Sequence, residues 1–215
     1  MALEFDPRTN VQAIFPTPLG KFEVPNAREL MPRIAEAILA RERQEQGVSG
    51  SNRGGWHSEG KLLSWPELEF ANLGELFRES VAHMLSATTG HRRFNLDLHL
   101  AAWANVNRPG AFNTMHIHPN NHWSGVLYVQ TPDLSDDPVP KAGNIEFQDP
   151  RGPINMVKPP GSMSALSIPP QQGTMLVFPS WLFHGVSPFT KDVVRISIAF
   201  NARIDRFIPA DDPSA

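Results

Sequence analysis

The chain has 215 residues, enough for one domain with a substantial hydrophobic core, and we expect a single domain over 1–215. Its formal net charge of −3 and the lack of a basic stripe exclude nucleic acid as the expected main partner. The absence of cysteine excludes disulfides, thiolate metal sites and cysteine nucleophiles and fits a cytoplasmic protein, and without a long apolar segment we expect no membrane partner.

The first 92 residues are predicted to form a helical support. Residues 11–24 resemble a short strand pair interrupted by prolines. Asn26 and Glu29 fit a capping box at the start of a helix over 27–43.

A second helix is predicted over 65–87, with Ser64 and Glu67 as its capping box. The glycine-rich segment 45–61 between the two helices is predicted to be a loop. Two interpretations remain open for its residues Trp56, His57 and Ser58: a lid over a site or a simple connection.

From residue 93 the apolar period changes from 3.6 to 2, which indicates β-structure. Helices followed by antiparallel strands predict an α+β, mainly β domain whose sheets curl into a sandwich or jelly roll, with the N-terminal helices packed on one sheet. We expect the strand-rich core over 93–203 and a tail over 204–215. The further strands are predicted over 123–130, 143–148, 174–179 and 192–200.

The first long strand, 94–107, has two different faces. Its apolar face is expected to contact the helices, and its polar face to line the barrel interior. The apolar face carries Phe94, Leu96, Leu98 and Leu100, and the polar face carries Asp97, His99, Trp103, Asn105 and Asn107.

Three histidines occur within seven positions in the stretch HIHPNNH. His116 and His118 are expected at the start of the strand WSGVLYV, where residues i and i+2 share a face about 6.6 Å apart and can bind one cation. We expect His122 to be a bystander on the turn. The alternative is that His116 and His118 are solvated and stack on Trp123.

A second group of candidate residues consists of His184, Arg195 and Ser197. Arg195 and Ser197 share one face of the last strand. A hairpin turning near 188–189 is predicted to place His184 one or two steps across the ladder from Arg195. A buried guanidinium needs a partner, and a bound carboxylate supplies one, with the serine as a third donor.

These motifs resemble the iron(II)- and 2-oxoglutarate-dependent oxygenases. Their signature is a His-x-Asp/Glu pair, a distal His some fifty or more residues later, and an Arg or Lys about ten residues beyond it. This chain has His116-x-His118, then His184, ten residues, and Arg195-x-Ser197. The last portion is similar to the branch containing isopenicillin N synthase. The wider text over 94–201, including GNIEFQDPR and FPSWLFHGV, is similar to small bacterial and phage members.

The resemblance implies a double-stranded β-helix (jelly roll, cupin-like) fold with its catalytic core over 93–203, and it implies a function for each group of residues. Fe(II) is expected at His116, His118 and His184, and 2-oxoglutarate is expected to chelate it while Arg195 and Ser197 hold its other end. Tyr128 is expected on the metal-bearing strand. Its hydroxyl is expected either to bind the distal carboxylate of 2-oxoglutarate or to face solvent. Asn105 and its neighbour Asn107 are expected either to hydrogen-bond the co-substrate or to stabilise the turn that follows them. The implied reaction oxidises a C–H bond while 2-oxoglutarate becomes succinate.

One position departs from the family pattern, because His118 stands where a carboxylate is usual. The third ligand is then His118, water, or a carboxylate from Glu146 or Asp149. Enzymes similar to cysteine dioxygenase hold iron with three histidines, and we expect the same here.

Two other functions remain as alternatives: a cupin-type metal dioxygenase or isomerase without 2-oxoglutarate, and a non-catalytic jelly-roll binding module. The expected partner is a small-molecule or protein side-chain substrate, and the aromatic pocket rim is compatible with a homodimer.

Overall fold

The computed structural model describes residues 4–151 and 160–210. The helices there are α1 (Pro7–Asn10), α2 (Ala27–Glu42) and α3 (Leu68–Thr89), with a short 3-10 turn at Leu62–Ser64. Both long helices match their predicted positions within a few residues.

The predicted capping boxes are wrong. Asn26 has a left-handed backbone with φ 55° and makes no side-chain cap hydrogen bond. Helix α3 begins at Leu68 rather than directly after Ser64, because Pro66 holds the preceding residue, Trp65, in an extended conformation.

The strands form two antiparallel sheets facing each other, the double-stranded β-helix predicted from the sequence. The six-stranded sheet has the order β1-β9-β6-β11-β4-β3, and its strands are β1 (Gly20–Glu23), β3 (Trp56–His57), β4 (Phe94–Asn107), β6 (Trp123–Gln130), β9 (Thr174–Pro179) and β11 (Arg195–Pro209). The five-stranded sheet has the order β2-β5-β10-β7-β8, and its strands are β2 (Asn52–Arg53), β5 (Phe112–His116), β7 (Ile145–Gln148), β8 (Ala165–Ile168) and β10 (His184–Val186).

The apolar face of β4 is used as expected. Leu98, Ala102, Ala104 and Val106 are buried in the core that joins the six-stranded sheet to α2 and α3. The rings of Phe77 of α3 and Phe200 of β11 stack in this core, with their centroids 4.2 Å apart.

Gly125 lies beneath that stack. A Cβ at Gly125 would be 2.3 Å from the ring of Phe200, so only glycine fits there.

The inner face of β4 is polar only toward its C-terminal end. Trp103, Asn105 and Asn107 lie inside the barrel, whereas Asp97 and His99 are exposed. The N-terminal half of β4 extends beyond the five-stranded sheet, so only one of its faces is covered.

Several predicted boundaries differ from the structure. Residues 11–24 contain the single strand β1 rather than a strand pair. The segment 45–61 is not only a loop, because β2 and β3 lie within it and add an edge strand to each sheet. Strands β5 and β8 were not predicted. Strand β11 continues to Pro209, so a tail beginning at 204 is wrong, and residues 211–215 lie outside the described part.

The predicted hairpin between His184 and Arg195 is also wrong. His184 begins β10, which pairs with β5 and β7, whereas Arg195 begins β11, which pairs with β4 and β6. The chain crosses from one sheet to the other between these residues, so they face each other across the barrel rather than along one ladder.

No helix in the described ranges is long and apolar enough to span a membrane.

Candidate active site

Three histidines converge on the inner side of the five-stranded sheet. His116 ends β5, His118 lies in the loop just beyond it, and His184 begins β10 directly opposite His116. One nitrogen of each ring lies within 4.8 Å of the others. The pair therefore ends a separate short strand and does not begin the strand WSGVLYV, as the sequence had indicated.

Backbone hydrogen bonds fix two of the three rings. His116 Nδ1 lies 2.7 Å from the Thr114 carbonyl oxygen, and His184 Nδ1 lies 2.8 Å from the Leu182 carbonyl oxygen. A carbonyl only accepts, so Nδ1–H donates in both rings and Nε2 is left with its lone pair. This arrangement sets the tautomer that a metal ligand needs.

His118 is fixed through its backbone instead. Its N–H donates to the Ser180 carbonyl oxygen at 2.9 Å, which ties the loop to the residues that precede β10. Its ring centroid lies 4.8 Å from that of His116 and 5.1 Å from that of His184.

Burial keeps these histidines neutral. It lowers the pKa of His118 to about 3, with further lowering by the charges of His184, His116 and His57. Burial, followed by the charge of His116, lowers the pKa of His184 to about 4. The pKa of His116 is also lowered, mainly by burial. Neutral imidazoles are the form that binds a metal ion.

The carboxylate alternative at Glu146 lies apart from this cluster. Glu146 pairs with Gly185, one residue beyond His184, so its side chain leaves the opposite face of the sheet. Its carboxylate is 3.4 Å from Lys141 Nζ.

The histidine expected as a bystander also lies apart. His122 Nδ1 accepts a hydrogen bond from the Ile204 N–H at 3.0 Å, which gives this ring a structural role.

A buried cation lies on the opposite wall of the barrel. Arg195 is 1% exposed, and its Nη1 is 3.4 Å from Ser197 Oγ. Its Cζ lies 5.4 Å from the centre of the Tyr128 ring. Arg195 Nε, Arg195 Nη2 and the Tyr128 hydroxyl have no hydrogen-bond partner among the described residues.

Burial changes the acidity of both groups. It lowers the pKa of Arg195, an effect that Tyr128 partly offsets. Burial raises the pKa of Tyr128 to about 12, so its hydroxyl stays protonated as a donor. Unpaired donors around a dry guanidinium are costly, and a bound carboxylate would satisfy them.

Two amides complete this polar end. Asn107 is the ladder partner of Arg195, and Asn105 is the partner of Ser197. Both asparagines are buried, with Oδ1 unpaired among the described residues. Turn chemistry is therefore the wrong interpretation for them.

Tyr128 lies in the six-stranded sheet opposite Ser197, so its expected place on the metal-bearing strand is wrong. Its hydroxyl is buried rather than facing solvent.

The sequence did not point to two further lining residues, Ser51 and Asn113. The register of β5 against β10 shifts between His184 and Val186, so that Val186 is opposite Asn113. This bulge turns Asn113 into the cavity, where its Nδ2 donates to Ser51 Oγ at 3.2 Å. A spacing-based prediction cannot find such a residue, because the bulge breaks the period.

The lid interpretation of residues 56–58 is replaced by a fixed strand. Trp56 and His57 pair with β4, and Ser58 Oγ accepts from the Ala104 N–H at 2.9 Å. His57 stacks on Trp103 at 5.4 Å, and Trp103 lies 5.7 Å from His118. Trp103 therefore borders the cavity, as its place on the inner face of β4 predicted.

The donor set fits a divalent metal ion beside a carboxylate-bearing co-substrate. Neutral imidazoles with free Nε2 atoms suit Fe(II), and three ligands leave open positions. The buried guanidinium with unpaired donors suits an anion on the facing wall. Fold and site together define a double-stranded β-helix metalloenzyme.

Residues 101–201 match the family model described as "Putative 2OG-Fe(II) oxygenase". The matched segment carries the histidine cluster and Arg195, and it places this part of the chain among the iron(II)- and 2-oxoglutarate-dependent oxygenases, oxidoreductases that use Fe(II) and 2-oxoglutarate. Comparison with curated proteins returned no match.

Solved structures share the fold. A prolyl-4-hydroxylase from Pseudomonas putida is 17% identical, with a TM-score of 0.60 over 86% of this chain and 91% of that one. A prolyl hydroxylase from Trichoplax adhaerens, in complex with a hypoxia inducible factor peptide, is 12% identical, with a TM-score of 0.61 over 86% and 83%. HygX from Streptomyces hygroscopicus, with nickel and 2-oxoglutarate bound, is 13% identical, with a TM-score of 0.58 over 93% and 87%.

Proposed function

We propose that this oxygenase binds Fe(II) through His116, His118 and His184 and holds the distal carboxylate of 2-oxoglutarate with Arg195, Ser197 and Tyr128. The observation that carries the proposal is the pairing of a neutral histidine cluster with a buried, unsatisfied guanidinium on the facing wall. Asn105, next to Ser197 in the ladder, is assigned to the co-substrate as well.

The bound iron and 2-oxoglutarate supply the chemistry, which is oxygen activation coupled to decarboxylation and oxidation of a substrate C–H bond. The protein positions the reactants. Thr114 and Leu182 orient two rings through their carbonyl oxygens, and Arg195 offers a planar set of donors that fixes the direction of the dicarboxylate. Tyr128 adds a neutral O–H donor.

Water exclusion is the second contribution of the chain. Phe178 packs against the ring of His184 at 4.7 Å, and the apolar cluster that includes Phe147 and Leu182 closes the barrel behind it. A dry cavity strengthens the interaction of Arg195 with a carboxylate and protects the reaction from solvent.

We assign residues 93–209, to the end of β11, to the catalytic core and residues 1–92 to its support. Helices α2 and α3 cover the outer face of the six-stranded sheet, and β1, β2 and β3 extend the sheet edges. One core cluster joins the support and the catalytic strands, which favours a single domain over 1–215.

The substrate belongs to one of two classes, a small molecule or a protein side chain. The hydroxylase from Trichoplax adhaerens binds a peptide, and HygX has also been crystallised with hygromycin B. Both kinds of ligand fit this fold.

The test is turnover and binding with matched ligands. Fe(II)-loaded protein with ascorbate is expected to release succinate from 2-oxoglutarate slowly without substrate. Nickel-loaded protein is expected to bind 2-oxoglutarate far more tightly than 2-oxobutyrate, which lacks the second carboxylate. Equal affinity for the two acids, with no succinate, would instead favour a cupin-type enzyme that leaves Arg195 unused.

A further inference from the structure

The wall of the active-site cavity carries one fixed charge. Arg195 contributes a guanidinium, and no Asp or Glu is among the described residues that line the cavity. The remaining polar wall is neutral and consists of serine, asparagine, tyrosine and histidine side chains. In the proposed three-histidine centre the metal ligands are neutral as well.

The charges of the proposed complex do not cancel. A divalent metal and the Arg195 guanidinium bring three positive charges, and the 2-oxoglutarate dianion neutralises two of them. A carboxylate ligand in place of His118 would remove the third, but Glu146 is paired with Lys141 outside the cluster. One positive charge therefore remains in a dry cavity, where an unpaired charge is costly.

The groove beside the cavity has the same sign. Residues 46–50, 52–55 and 57 line a groove of about 610 Å³. Arg53 is its single permanently charged residue, and the described lining contains no acid. Arg53 Nη1 donates to the Gly50 and Asn52 carbonyl oxygens, and no acidic side chain of the described part pairs with it.

The groove and the cavity meet at two points. Ser51 lines the cavity and lies between Gly50 and Asn52, which line the groove. His57 of the groove stacks on Trp103 of the cavity. Ser51 Oγ already accepts from Asn113 Nδ2, so its own proton is available for an acceptor on a bound molecule.

We infer that the substrate carries an anionic group, a carboxylate in the simplest case, that enters along the groove past Arg53 and compensates the remaining positive charge beside the metal. This inference rests on the proposed three-histidine centre, and it narrows the substrate class to acids. Ser51 and Arg53 are its specificity-determining residues.

The test is calorimetry on nickel-loaded protein saturated with 2-oxoglutarate, titrated with benzoate and with its neutral isostere benzamide. Benzoate is expected to bind at least about tenfold more tightly and without displacing 2-oxoglutarate, because only the acid compensates the charge. Arg53→Gln is expected to reduce the benzoate affinity severalfold and to weaken its salt dependence. Arg206→Gln, an exposed control on β11, is expected to change neither.

His118→Asp tests the charge itself. The added carboxylate is expected to bring benzoate and benzamide to nearly equal affinity while the metal remains bound. Equal binding of the two probes by the unaltered protein overturns the inference. The inference is also overturned if chloride or inorganic phosphate binds as tightly as benzoate, because a free ion would then compensate the positive charge.

The two levels of the proposal fail differently. If the unaltered protein binds nickel and 2-oxoglutarate but shows no preference for benzoate over benzamide, only the substrate class is refuted. Failure of the unaltered protein to bind nickel at the histidines refutes the centre and the inference together.

Discussion

His116 and His184 face each other directly across the ladder between β5 and β10, with their ring centroids 4.4 Å apart. Backbone hydrogen bonds within the sheet therefore set the distance between the two rings. His116 and His184 would hold a metal ion on a rigid scaffold, which favours tight binding because little side-chain freedom would be lost.

His184→Ala should remove the metal. The ring is buried and oriented by Leu182, and among the described residues only His116 and His118 share the cluster with it. We expect the affinity for nickel or manganese to fall more than about 100-fold, beyond the effect of losing an outer-shell partner. Metal content after dialysis measures this. His83→Ala, at an exposed histidine of α3, is the control, and a His184→Ala protein with full metal content would contradict the assignment.

The third ligand can be tested by comparing two variants. His118→Ala is expected to weaken metal binding strongly, whereas Glu146→Ala is expected to leave it unchanged, because the Glu146 carboxylate pairs with Lys141 on the other face of the sheet. The measurement is metal affinity by calorimetry, together with a metal-bound crystal structure. Coordination by Glu146, with His118 beyond about 3 Å from the metal, would refute the three-histidine centre.

Arg195→Ala should abolish tight 2-oxoglutarate binding. A charge-assisted contact in a dry pocket is lost, at an expected cost of about 2–5 kcal/mol of binding free energy. Metal affinity should change little, since Arg195 lies in the other sheet from the histidines. Arg203→Ala, at an exposed arginine of the same strand, is the matched control. Calorimetry that finds the wild-type affinity in Arg195→Ala would remove this residue from the mechanism.

Tyr128→Phe separates binding from stability. The hydroxyl is buried without a partner in the described part, so its removal is expected to leave the melting temperature of the metal-free protein unchanged or higher. Its loss should weaken 2-oxoglutarate binding by about 1.5–3 kcal/mol, the contribution of a hydrogen bond to a charged group. A variant with lowered stability and unchanged 2-oxoglutarate affinity would show that the hydroxyl has only a structural role.

The metal-free protein should lose stability as the pH falls. Folding lowers the pKa of His118 from 6.5 to about 3 and that of His184 from 6.5 to about 4. Below pH 6.5 the unfolded chain therefore takes up protons that the folded chain excludes. The free energy of unfolding is highest above pH 6.5 and falls toward pH 4, with a slope approaching about 1.4 kcal/mol per pH unit for each histidine.

Denaturant unfolding at pH 7.5, 6.0 and 5.0 measures this loss. His118→Asn is expected to reduce the slope, because it removes one of the histidines whose pKa folding lowers. An unfolding free energy that stays constant between pH 6.5 and 5 would show that the histidines are not buried in the neutral form.

Much of the fold was determined by the sequence itself. Periods of 3.6 and 2 are local consequences of backbone geometry, so α2, α3, β6 and β9 were predicted close to their bounds. The alternation along 94–107 also assigned the apolar face of β4 correctly, since side chains of a strand alternate strictly, but it placed the exposed Asp97 and His99 inside the barrel. Residue type and spacing were sufficient to bring forward His116, His118, His184, Arg195 and Ser197 as candidates.

Only the tertiary structure decided how these residues meet. His184 and Arg195 are eleven positions apart and lie in different sheets, because strand partners are chosen by packing over the whole chain and not by sequence proximity. The bulge that turns Asn113 inward, and the edge strands within 45–61, likewise depend on the second sheet. Residue chemistry is local and readable in the sequence, whereas the enclosure that makes Arg195 an unsatisfied cation arises only when two sheets close around it.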